Sequence, residues 1–191
     1  LPADEFAKEI EVIKEERRLR TDDRPSSLAY ERFKAMAYPA SGYSIPTIGW
    51  MADLERMHID DLRAWHQKWY APNNATLVVV GDVSVDEVKS QVQRYFGDIP
   101  RGDVPTAKLP LELAAPGERR TTLYLKTQLP SLLMGFNVPG LATAETPRQA
   151  YALRLAAALL DGGYSARLST RLERGEELVS GASAWYNAFT R

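Results

Sequence analysis

Apolar side chains recur at helical spacing near the start of the chain, and this pattern predicts a helix over residues 6–18. Phe6, Ile10 and Ile13 fall on one side of that helix. Arg17 falls on the same side, although a charged group is unusual on a face that packs against a core. We therefore expect an amphipathic first helix whose apolar arc includes charge.

Two carboxylates of this helix, those of Glu9 and Glu16, lie one heptad apart and leave it in nearly the same direction. Both project from within the apolar arc. A carboxylate on such a face must be paired, hydrogen-bonded or bound to a metal, because an isolated buried charge is costly. The alternative is an ordinary solvated face, on which Glu16 pairs with Arg20 one turn later. The sequence pattern leaves both interpretations open.

The rest of the chain contains helical and strand patterns. Capping residues and helical spacing predict further helices over residues 26–38, 52–57, 58–70, 85–96, 147–160 and 166–174. Runs of β-branched or alternating apolar residues predict strands over residues 75–81, 121–127, 131–138 and 179–186. This order of elements predicts an α+β fold with mainly antiparallel sheets covered by helices.

A proline-rich stretch separates the two halves of this pattern. Residues 98–117 carry four of the twelve prolines of the chain and little apolar periodicity. We predict a connector there, with one domain over residues 1–112 and a second over residues 113–191.

Composition narrows the class of protein. The 191 residues are 45% hydrophobic and 26% charged, with a net charge of −1, which offers no basic surface for nucleic acid. No apolar run reaches the length of a membrane span. The absence of cysteine excludes disulfides and thiolate zinc sites. The sequence begins without an initiator methionine or a signal peptide, so we expect it to be a piece of a longer protein.

Several motifs, in order and spacing, resemble one family of zinc metallopeptidases, that of pitrilysin, insulinase and the mitochondrial processing peptidases. The motifs that carry this resemblance lie at residues 9–16, 45–49, 69–82, 95–100, 134–140 and 159–168. The resemblance covers nearly the whole chain and implies processing-peptidase-like domains. Residues 1–112 would be the C-terminal part of the zinc-bearing domain, and residues 113–191 the first part of the following non-catalytic domain.

The resemblance also implies roles for the two acids. In that family a His-x-x-Glu-His motif supplies two zinc ligands and the glutamate that activates water, and a glutamate on a later helix is the third ligand. Glu16 matches that ligand, and Glu9 matches an acid that supports the site without touching the metal. The motif itself is absent, since the only histidines are His58 and His66. We read His58 as a surface or helix-capping residue. The intact protein would bind zinc, whereas this fragment is expected to hold none and to be inactive.

Two loops have weaker assignments from the same resemblance. Tyr43 falls where many relatives read His-Pro-Tyr, but Ser41 and Gly42 replace the first two residues, so a substrate contact there is open. Gly162 and Gly163 resemble a glycine-rich loop that touches substrate in a processing peptidase. Their simpler reading is a helix stop with positive φ at one glycine.

The resemblance predicts part of a zinc-dependent metalloendopeptidase that hydrolyses peptide bonds in flexible or unfolded peptides. It also favours a bacterial source and a periplasmic or exported location. The alternatives are a non-catalytic scaffold or partner subunit of the same fold, and a stand-alone interaction module. An uncovered apolar arc on the first helix would favour a homo-oligomer.

Overall fold

The computed structural model describes residues 2–108, 110–113 and 117–190. Six α-helices form in this part of the chain: α1 (Ala3–Arg17), α2 (Pro25–Ala37), α3 (Met51–Leu54), α4 (Ile59–Trp69), α5 (Val85–Phe96) and α6 (Pro147–Asp161). They agree with six of the predicted helical segments to within a few residues. The predicted helix over residues 166–174 is instead a π-helical segment, Ser169–Glu173.

Helix α1 does not end in a loop but continues into a second, shorter helical segment. It passes after Arg17 into a π-helical turn, Arg18–Asp22. Pro25 then occupies the first position of α2, where its missing N–H costs nothing. The short helix α3 packs against α1. The first three helices and their connections therefore form one local assembly around α1.

Helix α5 begins with a reciprocal cap. The backbone N–H of Glu87 donates to Ser84 Oγ at 3.2 Å, and the Glu87 carboxylate accepts from the Ser84 N–H at 3.0 Å and from Ser84 Oγ at 2.7 Å. The hydrogen bond from the Ser84 side chain is the main reason that the pKa of Glu87 is lowered, with the backbone N–H adding to it. This local motif fixes where the helix starts.

Replacing Ser84 with alanine should destabilise the chain by about 1 kcal/mol, measured by urea unfolding, because the cap is lost. Ser90→Ala, in the interior of the same helix, is the control and should be neutral or stabilising. The contribution of the Glu87 cap should be complete above the ordinary pKa of 4.5 and should vanish as pH falls through the lowered value of the folded state. A Ser84→Ala effect that is unchanged at low pH would contradict this.

The predicted antiparallel sheets are wrong for this structure, since no strand forms within the described ranges. The clearest predicted strand, residues 75–81, has no regular structure, and Val78 and Val80 are 77% and 93% exposed. A strand is defined by hydrogen bonds to a neighbouring strand. Alternating apolar residues favour extended backbone but do not supply that neighbour. Residues 121–127, 131–138 and 179–186 likewise lack helix and strand.

The chain divides into two compact units, one ending at Leu133 and one beginning at Met134. In the described part of the first unit, the buried apolar residues are Ile10 and Leu54. In the second, Tyr186 Oη donates to the Pro139 carbonyl at 2.6 Å, and the Leu141 N–H donates to the Ala188 carbonyl at 2.7 Å. The predicted domain boundary at residue 112 stays a prediction.

The apolar arc of α1 is only partly uncovered. Ile10 is 8% exposed, while Phe6 and Ile13 are half-buried. The expected homo-oligomer through this face stays a prediction. Among the described helices, none is long and apolar enough to cross a bilayer.

Candidate functional site

The acids predicted to matter on α1 lie beside its buried face rather than within it. Glu9 is exposed and Glu16 is half-buried. Each is followed directly by a buried residue, Ile10 at 8% and Arg17 at 3% exposure. The two buried positions of α1 thus repeat at the same heptad spacing as the two acids. Both carboxylates therefore lie along one edge of the buried stripe of α1 and remain accessible to solvent.

The surroundings of Glu16 are polar and open. Its carboxylate lies 3.0 Å from the Arg20 guanidinium, and 40% of the Glu16 side chain is exposed. A shallow depression beside it is lined by Val12, Glu15, Glu16, Leu19, Arg20 and Asp23. The helical ion pair that the sequence offered as an alternative is thus present. The metal-ligand role of Glu16 and the supporting role of Glu9 stay predictions.

The described part of the chain does not form a complete metal site. It contains no group of three or more His, Asp or Glu side chains that could hold a metal ion. His58 is the N-cap of α4, where its backbone N–H donates to the Asp61 carboxylate at 2.8 Å. His66 stacks on Tyr70 with ring centroids 4.4 Å apart. An accessible carboxylate such as that of Glu16 fits zinc as one ligand among several.

The strongest polar cluster near these acids was not predicted as a site. Arg17 forms a forked pair with Glu31 of α2, with nitrogen to oxygen distances of 2.8 and 3.0 Å. It also donates to the Gly49 carbonyl at 2.7 Å and lies 3.2 Å from the Asp22 carboxylate. The Arg17 and Glu31 side chains are only 4% and 6% exposed. The signal in the sequence was an arginine on the apolar arc of the first helix.

The electrostatics of this cluster favour a charged Arg17. The hydrogen bond with Glu31 is the main reason that the pKa of Arg17 is raised, against the opposing effect of burial. The Arg17 guanidinium carbon lies 6.0 Å from the centre of the Trp50 ring, and that of Arg32 lies 5.7 Å from the same ring. The cluster therefore joins α1, α2 and the segment before α3 through charge-assisted hydrogen bonds.

The loop that contains Tyr43 is held from a distant part of the chain. The Glu112 carboxylate accepts hydrogen bonds from the backbone N–H groups of Ser41 at 3.0 Å and of Ala40 at 3.3 Å. The Tyr38 and Tyr43 rings lie 5.4 Å apart. Ser41 is buried. A substrate contact by this loop stays a prediction.

The two glycines after α6 have different conformations. Helix α6 ends at Asp161, Gly162 follows with φ −105°, and Gly163 has φ 126°. Side chains rarely adopt that backbone conformation, so Gly163 is suited to the reversal that follows the helix. This geometry agrees with the simpler reading of a helix stop. A contact with substrate at Gly162 or Gly163 stays a prediction.

Replacing Gly163 with alanine should destabilise the chain by about 1 kcal/mol or more, because alanine would be strained at positive φ. The matched control is Gly181→Ala. A Cβ at either position meets no atom within 4 Å, but only Gly163 has positive φ. The difference between the two variants in urea unfolding isolates backbone strain. Equal stabilities would show that the turn relaxes without cost.

Comparisons with known proteins place the chain among metallopeptidases. Residues 56–191 match the family described as "Peptidase M16 inactive domain". The chain is 32% identical over 186 residues to zinc protease PqqE of Helicobacter pylori, covering 95% of this chain and 41% of that protein. It is 26% identical over 165 residues to an uncharacterized zinc protease of Rickettsia felis, covering 86% and 38%.

A solved structure is similar to this chain in fold. The crystal structure of a protease from Helicobacter pylori matches with a TM-score of 0.65 and 25% identity, over 98% of this chain and 45% of that chain. The chain thus spans less than half the length of the relatives that it matches.

Proposed function

The chain belongs to the M16 peptidase family, and on that basis we propose that it is part of a zinc-dependent metalloendopeptidase acting on flexible or unfolded peptides. The observation that carries this proposal is the match of residues 56–191 to the inactive domain of that family. The relatives named zinc proteases, which align with nearly the whole chain, support it. The resemblance of residues 9–16 to the family motif is the reason for proposing Glu16 of α1 as a metal ligand.

In this proposal the chain contributes one ligand and a scaffold, and is inactive by itself. Glu16 would bind the metal through its accessible carboxylate, and α1 would direct that carboxylate away from the buried stripe. Glu9, one heptad earlier, would support the site without touching the metal. Zinc, when bound, supplies Lewis-acid polarisation of a scissile carbonyl and activation of water. The complete set of at least three protein ligands must include residues outside the described part of the chain.

A non-catalytic partner subunit of the same fold is the second candidate. The pairing of Glu16 with Arg20 at 3.0 Å favours it, because this pair occupies the carboxylate without a metal. The two candidates differ in one feature, namely whether the complete protein carries a His-x-x-Glu-His motif and retains zinc.

The test compares the complete protein with the 191-residue chain. We expect the complete protein to retain about one zinc ion by elemental analysis. It should cleave an unstructured fluorogenic peptide, lose this activity to a chelator and regain it with zinc. The 191-residue chain should neither retain zinc nor cleave the peptide. A complete protein without zinc or peptidase activity would favour the partner subunit, and chelator-sensitive cleavage by the 191-residue chain alone would contradict the proposal.

A further inference from the structure

We propose that Arg17, through its forked pair with Glu31, is a positioning residue that fixes the direction of the Glu16 carboxylate toward the metal. This inference rests on the proposed function, because it assumes that Glu16 is a ligand. Arg17 itself would touch neither the metal nor the substrate. Its effect passes through the backbone of α1, in which it directly follows Glu16.

The Glu16 side chain is not held by the core. Its ion-pair partner, Arg20, is 66% exposed, and exposed pairs of this kind contribute little stabilisation. The direction of the carboxylate therefore depends on the rotation of α1 about its axis. Arg17, at 3% exposure, is the buried residue nearest to Glu16 in that helix.

The contacts of Arg17 come from three separate segments and together resist rotation of the helix. Glu31 holds the guanidinium from α2, the Gly49 carbonyl holds it from the segment before α3, and Asp22 holds it from the π-helical turn. A forked pair fixes both the position and the plane of the guanidinium. An apolar side chain at this position could not form such directional hydrogen bonds.

The contacts of Arg17 also lie next to a change in helix geometry. The backbone changes from α-helical to π-helical geometry directly after Arg17, which shifts the register of every later residue. The Arg17–Asp22 pair spans that change. The pair therefore joins the last turn of α1 to the π-helical turn that follows it.

Small rotations matter because metal sites tolerate little displacement. Ligand distances hold to about ±0.2 Å. A glutamate carboxylate extends well beyond the Cα radius of about 2.3 Å, so a few degrees of helix rotation move it further than that tolerance. Loss of the fork should consequently weaken zinc binding even where the helix remains folded.

The test uses Arg17→Lys in the complete protein, since lysine keeps the charge but cannot form the fork. We expect zinc affinity, measured against a competing chelator dye, to fall about 10 to 100-fold, as for other residues that orient a ligand. The absorption spectrum of the cobalt-substituted protein should also change, while far-ultraviolet circular dichroism does not. Arg63→Lys is the matched control, because Arg63 pairs with exposed Asp60 at 3.1 Å and should leave every measurement unchanged.

A merely structural role would lower the unfolding midpoint but leave the zinc affinity and cobalt spectrum of the folded protein unchanged. That result for Arg17→Lys would overturn the inference. Should Arg17→Lys fail to fold, Glu31→Asp, which keeps the charge and shortens the reach, is judged by the same measurements. Glu16→Gln separates the two proposals. Loss of zinc in Glu16→Gln with normal zinc in Arg17→Lys refutes only the positioning role, whereas normal zinc in Glu16→Gln refutes the proposed ligand.

Discussion

Glu16→Gln in the complete protein is expected to abolish zinc retention and to reduce peptidase activity to background. Glutamine keeps the size of the side chain but removes the negative charge that a zinc-binding carboxylate supplies. Folding should survive, because Glu16 is half-buried and its ion pair is with exposed Arg20. Elemental analysis of the purified variant and a peptide-cleavage assay measure the two losses, and circular dichroism measures the fold.

The companion variant and its control define what that result means. Glu9→Gln should weaken zinc binding and activity by about 10 to 100-fold, the usual cost of losing a group that supports a ligand. Glu11→Gln removes a carboxylate from another face of α1, where it pairs with Lys14 at 2.6 Å, and should change neither. Stoichiometric zinc in Glu16→Gln would remove Glu16 from the metal site.

Glu31→Gln is expected to destabilise the chain by about 3–5 kcal/mol, the largest stability effect that we predict for a single residue. The variant removes the forked carboxylate partner of the buried Arg17 charge and leaves only the Asp22 carboxylate, at 3.2 Å, and removal of one member of a buried pair carries that cost. Urea unfolding followed by tryptophan fluorescence measures the loss, since Trp50 lies beside both Arg17 and Arg32.

Two comparisons separate a buried charge from a general effect of substitution. Asp60→Asn breaks an exposed pair with Arg63 and should cost less than about 1 kcal/mol. Arg17→Met combined with Glu31→Leu removes both charges and should recover much of the lost stability, because no unpaired charge stays buried. A Glu31→Gln variant as stable as Asp60→Asn would show that water or a rearranged partner satisfies Arg17.

Local signals in the sequence determined most of the helices. Ser84 and Glu87 cap the start of α5 within one turn, and Pro25 opens α2 at the first helical position. Such signals act between residues a few positions apart, so they are readable without the rest of the fold. The family resemblance was likewise carried by short ordered motifs, and the match over residues 56–191 confirmed it.

Contacts between distant residues decided the rest. The strand pattern of residues 75–81 was clear, but a sheet depends on a neighbouring strand, and none pairs with this segment within the described ranges. The sequence placed Arg17 on the apolar arc of α1 but offered no reason for a charged residue there. Only the tertiary structure supplied that reason, because Glu31 lies 14 residues away and Gly49 lies 32 residues away, and folding brings both within hydrogen-bonding distance of one buried guanidinium.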